Sequence, residues 1–387
     1  MRNRSRDEEN RALAQNKLSA RVQPVTLGGE KAMRDGFTTG SCAAAAALAS
    51  CIWQRDGACP AHVALTVPEG RVFTAEITAH AGYECGVIKD AGDDPDVTDG
   101  YEVRARVELS DSAGPVEFCA GEGVGVITLP GLKLPVGEAA INPVPRDMIA
   151  RAVRSVFPEA AARVTVSIPG GAELAARTFN PRLGIVGGLS VLGTTGIVRP
   201  MSEEALTESI ALELRMRRAQ GLEELALVFG SQGEAALSSV YPGLHAAQIS
   251  NFVGFALDTA AELGYRRLLL AGHPGKLSKV AAGVMQTHSH YADARREAIM
   301  AHLALIGAPV ELVRSVHDSA TTDAAMRAIA DSGYDGVWKI MADSASAYCE
   351  ARVRGACEVD VLFIDGSGTP LGMSARMRED ENRWKKS

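Results

Sequence analysis

The feature that most constrains this chain is a change of rhythm near Thr178. Beyond it, short β-branched or leucine-rich runs recur at residues 183–186, 225–229, 267–270, 310–313, 336–340 and 359–364. Stretches of helical length and pattern lie between them, at 202–219, 248–263, 278–285, 291–305, 321–330 and 344–352. Strands that alternate with helices imply a parallel sheet covered on both faces. Residues 179–375 are therefore expected to form a doubly wound, Rossmann-like α/β domain. Before Thr178 the pattern differs. Hydroxyl and glycine residues (Thr38, Thr39, Gly40, Ser41) precede a run of alanines at 43–47, the signature of a capped helix start. Alternating runs at 62–67, 71–79, 85–88 and 101–109, separated by turn-rich stretches, then read as an antiparallel sheet. The glycine- and proline-rich stretch 121–145 reads as a long irregular loop, followed by a helix at 145–157 and a strand at 163–168. The expected organisation is a disordered leader at 1–34, an α+β domain at 35–178, the α/β domain at 179–375 and a polar, basic tail at 376–387.

Composition narrows the class. A chain of 387 residues suggests two or three domains, and 46% hydrophobic with 22% charged residues is the balance of a globular protein. The net charge of −7, from 40 basic and 47 acidic side chains, disfavours non-specific nucleic-acid binding. The longest apolar run, 43–53, falls well short of the ~20 residues that span a bilayer, and the charged start has no signal-peptide core. Seven scattered cysteines without a CxxC pair argue against a disulfide framework and a structural zinc site, and fit the cytoplasm. The expectation is a cytosolic enzyme with no resident metal and no membrane or nucleic-acid partner. The oligomeric state stays open, a homo-oligomer included.

Four constellations could carry chemistry. The first is the glycine-rich loop after the run 183–186, with Gly187, Gly188, Ser190, Gly193, Thr194, Thr195 and Gly196. Glycines after a strand let backbone approach a ligand, although the dinucleotide fingerprint is a poor match and a purely structural loop reads the same way. The second, His273, Pro274, Gly275, Lys276 and Lys279, follows a strand directly and opens a helix, an anion site in outline. It resembles a phosphate-binding loop only loosely. The third is Thr287, His288, Ser289, His290, Asp293, Arg295 and Arg296, which could bind a metal, move protons or simply start a helix. The fourth is a run of acids (Asp90, Asp93, Asp94, Asp96, Asp99, Glu102), read as a solvated turn in preference to a hard-cation site or a lysine/arginine partner.

In order, the phrases GFTTGSCAAAAA (36–47), KDAGDDPDVTDG (89–100), GEGVGVITLPGL (121–132), INPVPRDMI (141–149), GGLSVLGTTGIVRPMSEEAL (187–206), ISNFVGFALD (249–258) and GHPGKLSKVAAGVMQTHSHYADARREAI (272–299) resemble the CbiD family. The resemblance runs over 34–372; the long leader and Gln232 in GSQGE depart from it. It implies methylation of C1 of cobalt-precorrin-5B, giving cobalt-precorrin-6A in adenosylcobalamin biosynthesis, with S-adenosylmethionine as donor and the macrocycle as substrate. The alternative is a non-enzymatic corrinoid or cobalt carrier using His288 and His290 as ligands. In-line methyl transfer asks for positioning and a dry pocket and needs no nucleophilic side chain. The donor is expected to touch the loop 187–196 with Gly230 and Gly233, so that Gly188→Val weakens donor binding and spares the fold. Thr38, Thr39, Ser41, Arg199, Lys276, Lys279 and Arg295 are expected to meet the carboxylate-edged macrocycle. Lys276 and the helix start after Gly275 would hold a carboxylate. His273 and His288 would be catalytic, with Asp293 orienting His288.

Overall fold

The computed structural model describes residues 33–200, 202–380 and 382–385, so the leader call lies almost entirely outside the described residues. β1 (Gly36–Phe37) leads into α1 (Thr39–Asp56). Thr38 starts this helix by accepting the Ser41 N–H on Oγ1 at 3.2 Å, and Gly57 ends it at φ 76°, left-handed backbone that glycine adopts freely. Residues 43–47 have no exposed surface. Methyl side chains all round let α1 lie against a sheet on one side and a second helix on another.

That sheet has five strands and is flanked by a hairpin of β2 (His62–Thr66) and β3 (Val72–Glu76). Its strands are β4 (Thr78–Ala79), β5 (Cys85–Ile88), β6 (Glu102–Ala113), β7 (Val116–Ala120) and, after the two-residue β8 (Val126–Ile127) and α2 (Pro143–Val156), β9 (Ala160–Ser167). The order is β4-β5-β6-β9-β7, antiparallel except where β7 runs parallel to β9. After α3 (Gly171–Ala175), β10 (Ile185–Val186) pairs antiparallel with β8, and β11 (Ile197–Val198) with β1.

The second sheet begins after α4 (Glu203–Ala219), whose cap Ser202 accepts the Ala205 N–H at 3.2 Å. β12 (Glu224–Val228), α5 (Ser231–Val240), β13 (Ala246–Gln248), α6 (Val253–Glu262) and β14 (Arg267–Gly272) follow. Five helices then run in succession: α7 (Pro274–Ala281), α8 (Arg295–Leu305), α9 (Val310–Asp318), α10 (Thr322–Asp331) and α11 (Val337–Arg352). β15 (Glu358–Ile364), β16 (Pro370–Met373) and α12 (Ala375–Glu379) close the chain. The order is β13-β12-β14-β15-β16, parallel except for β16. Leu225, Leu227, Leu268, Leu270, Val359 and Val361 face one apolar cluster with residues of α4 and α6–α11; Ala226, Val228, Leu269 and Leu362 face another with Leu237 of α5 and Met377 of α12. Both faces are covered, which is why these strands read as unbroken apolar runs.

Three expected strands are not strands of this sheet. Residues 310–313 open α9, where Leu312 and Val316 form the buried side, and 336–340 open α11. Five residues are too few to show a helical period; extended to Cys349, the buried set Val337, Trp338, Met341, Ala342, Ala345, Ser346 and Cys349 shows it plainly. Residues 183–186 form a 3₁₀ turn (Asn180–Leu183) followed by β10, and Leu189, Val191 and Ile197 join the core of the first half. The change of core thus falls between β11 and α4, later than Thr178. The polar, basic tail is anchored: Arg376, Arg383 and the Trp384 indole N–H all reach Asp360, a fully buried carboxylate in β15.

Candidate functional site

From β12 the chain turns through α5 on one face to β13, at one end of the sheet; from β14 it leaves through α7 on the opposite face towards β15. Connections that diverge from neighbouring parallel strands leave a crevice at their carboxyl ends, where ligands of such sheets bind. Phe229 to Gly233 line it from β12, Gly272 to Lys276 from β14, and Ser250 with Asn251 from β13. Gly272 is needed here, because a Cβ would lie 2.6 Å from the Phe229 ring.

The two helix starts at this crevice are chemically different. At α7, His273 occupies the first turn itself: Nδ1 accepts the Gly275 N–H at 3.1 Å, and its carbonyl accepts those of Lys276 and Leu277 at 3.0 and 3.1 Å. Its Nε2 meets Asp323 at 3.1 Å. The expected carboxylate cradle after Gly275 is therefore already filled by the protein. At α5, Gly230 provides no side-chain cap, and the N–H groups of Ser231, Gln232 and Gly233 have no acceptor among the described residues. A side chain at Gly230 would meet nothing within 4 Å. This is an open, N–H-rich surface with the positive end of a helix dipole behind it.

Lys276 sits over the Phe229 ring, 6.0 Å from its centroid, and donates to Asn251 Oδ1. The same oxygen accepts the Thr287 hydroxyl at 3.2 Å, and the Asn251 carbonyl accepts the Thr287 N–H at 3.0 Å. Ser250, at φ 49°, turns the chain in the left-handed region so that Asn251 faces this point. Burial first, then the neighbouring Lys279 and Arg295, hold the Lys276 ammonium below the usual lysine range. Lys279 itself, expected at the macrocycle, is 2% exposed and donates to the carbonyls of Thr287 at 2.9 Å and Ala292 at 2.7 Å, so it pins the loop 287–292. Asp293 binds Arg295 through both oxygens, at 2.6 and 2.8 Å, and its carboxyl is held below the usual carboxylate range chiefly for that reason. It does not orient His288, which is exposed and accepts the His290 N–H on Nδ1 at 3.2 Å. The expected His288–Asp293 dyad is absent because the nearer guanidinium takes the carboxylate. The His288 and His290 rings lie 6.5 Å apart, and no group of three or more metal-ligating residues occurs among the described residues. Tyr291, from the same loop, meets Glu203 at the start of α4, 3.0 Å away.

The loop 187–196 lies elsewhere. Its glycines fit the first half's own backbone: a Cβ at Gly188 would be 2.3 Å from Gly123, one at Gly193 2.2 Å from Thr38 Oγ1, and one at Gly196 2.6 Å from Val67. Ser190 donates to Asn180 at 3.2 Å, and Thr195 to the Ile197 carbonyl at 3.0 Å; Gly187 and Thr194 remain exposed. Thr39 accepts the Leu192 N–H at 2.9 Å and Ser41 donates to Gly196 at 2.7 Å, so these hydroxyls clamp the loop. Arg199 pairs with Glu69 at 2.5 Å. The acidic run is no bare turn: Asp96 holds the buried Lys89 at 2.6 Å, and Asp90 binds Arg34. Residue-by-residue reading missed Asn251 and Phe229; Asn251 lies in the phrase 249–258 without being singled out, Phe229 ends an expected strand, and β13 is too short to be seen.

The chain is similar to known proteins over most of its length. The sequence model of the CbiD family matches residues 27–200, and that of the CbiD C-terminal domain residues 286–375. A cobalt-precorrin-5B C(1)-methyltransferase of Moorella thermoacetica is 43% identical over 360 residues, covering 91% of this chain and 98% of that protein. One from Citrobacter koseri is 45% identical over 327 residues (82% and 86%), and one from Klebsiella pneumoniae 44% over 363 residues (89% and 95%). A crystal structure of a cobalamin biosynthesis protein (cbiD) from Archaeoglobus fulgidus aligns at 26% identity over 68% of this chain and 84% of that one, with a TM-score of 0.37.

Proposed function

This chain belongs to the CbiD family, and on that premise we propose that it methylates C1 of cobalt-precorrin-5B, with S-adenosylmethionine as methyl donor, in cobalamin biosynthesis. The single observation that carries the placement of the donor is the row of unpaired N–H groups at the start of α5, opening on the crevice between β12 and β14. Three converging N–H donors suit the donor's amino-acid carboxylate, and Gly230 leaves room for it. Bound there, S-adenosylmethionine supplies an electrophilic methyl group on a sulfonium. The protein's own part is to fix both partners in line and keep water out. Phe229 offers an apolar wall, and the loop carrying His288 to Tyr291, pinned by Lys279, stands over one side.

Two separate apolar clusters support a division into two domains, with the junction at 199–202 and a Rossmann-like second domain. A cytoplasmic location is in keeping with seven free cysteines, and no helix among the described residues is long and apolar enough to cross a membrane. The test of the reaction is to incubate the protein with the cobalt intermediate and methyl-labelled donor and follow label into the macrocycle. The test of the site is Gly230→Val, which should leave the circular dichroism spectrum intact and weaken donor binding by tenfold or more in calorimetry. Unchanged affinity would remove the donor from α5.

A further inference from the structure

We propose that Lys276 is the proton acceptor of the methyl transfer and that Asn251 is its positioning residue. The inference rests on the reading above and adds a role for these two side chains. Transfer forms a bond between C1 and the methyl carbon as the methyl–sulfur bond breaks, its electron pair passing to sulfur. The macrocycle has then gained one positive charge. A proton leaving a carbon or nitrogen of its conjugated system restores the balance, and a base at the crevice must take it.

Lys276 is placed for that task. It lies at the rim between the diverging strands, beside the α5 start assigned to the donor, and over the Phe229 ring. Most basic side chains near the crevice are paired with a carboxylate: Arg295 with Asp293, His273 with Asp323, and Lys279 within 3.9 Å of Asp293. Lys276 has no carboxylate partner among the described residues; its acceptor is the neutral amide oxygen of Asn251. The charged groups that act on it are cationic, Lys279 on its own helix and Arg295 at the start of α8, with Asp293 turned to Arg295; β12 presents the Phe229 ring and the loop after β13 presents Asn251. Burial and like charge both favour the neutral amine, which has the lone pair a base needs. An amide that accepts one N–H holds the nitrogen in place without stabilising its charge as a carboxylate would. The left-handed turn at Ser250 and the two bonds to Thr287 in turn fix Asn251.

Lysine-to-arginine exchange separates a base from a mere cationic contact, because arginine keeps the charge and cannot release a proton at working pH. Lys276→Arg should bind donor and macrocycle within about threefold of wild type and lose on the order of a hundredfold in kcat. In Lys276→Ala, added ethylamine should restore part of the lost rate. Asn251→Asp would place a carboxylate against the ammonium, so the acid limb of the kcat–pH profile should move up by about one pH unit or more. The same shift should appear without substrate, as the pH dependence of reductive methylation of Lys276 followed by mass spectrometry. Wild-type turnover in Lys276→Arg, or coincident profiles for wild type and Asn251→Asp, would overturn the assignment. Failure of the wild-type protein to label the macrocycle would overturn the methyltransferase reading instead, while the reductive-methylation profile would still report on Asn251.

Discussion

Asp96 sits in a run of acids that looks like a solvated turn, yet it partners Lys89, whose side chain is 1% exposed. Burial pushes the Asp96 carboxyl up, but the Lys89 ammonium and the Thr98 N–H and hydroxyl outweigh it and hold it below the usual carboxylate range. A depressed value means stability that is present above the unfolded carboxylate range, near pH 4, and lost as pH falls through the folded value. Asp96→Asn should therefore cost about 3 kcal/mol in urea titrations at pH 7, because it strands a buried ammonium. The gap to wild type should narrow below pH 4; a constant gap would show that the pair contributes no charge energy. Such pairings explain why residue types were legible in the sequence and their partners were not. The sequence placed His288, Asp293 and Arg295 within a few residues of one another, but only distance decides that the carboxylate goes to the guanidinium. Lys276 was legible as a cation after a strand; that it faces an amide and no carboxylate depends on a strand three residues long elsewhere in the chain.

Among the elements, those with long or repeated patterns were read correctly: α1 from its cap and alanines, β12, β14 and β15 from their apolar runs. Short apolar runs misled, because four or five residues do not distinguish a buried strand from one turn of a buried helix. Glycine-rich turns misled for another reason. Both 187–196 and 230–233 announce close approach, but glycine does not say whether the neighbour is a ligand or the protein's own backbone. Gly188→Val answers for the first turn. With a Cβ 2.3 Å from the Gly123 carbonyl carbon, the variant should accumulate as insoluble or loosely folded protein, where Gly230→Val stays folded. A folded Gly188→Val with a native melting profile would contradict the packing of that loop.

At the scale of the whole molecule, the change from antiparallel to parallel sheet was visible in the rhythm of the sequence, whereas the place where one core yields to the other was not. Residues 183–198 return to the first core through β10 and β11, and a small apolar seam of Ile127, Leu183, Ile185 and Met216 joins the halves. The segment 376–387 reads in the sequence as a polar, basic tail, and that polarity is what Asp360 in the second sheet requires. Ending the chain at Asp380 removes Arg383 and Trp384 from Asp360, and should cost about 3 kcal/mol or more, read as a drop in the thermal midpoint. An unchanged midpoint would mean that Arg376 and Ser374 suffice for the carboxylate. The same anchor has a consequence in time. A chain grows from its amino end, so the first half can settle while the remainder is still being made. β15, flanked by β14 and β16 inside the second sheet, carries a carboxylate whose arginine partners are made after it, at 376 and 383. The second sheet should lock only after Arg376, Arg383 and Trp384 have been made, and copies terminated before them should remain open to proteolysis.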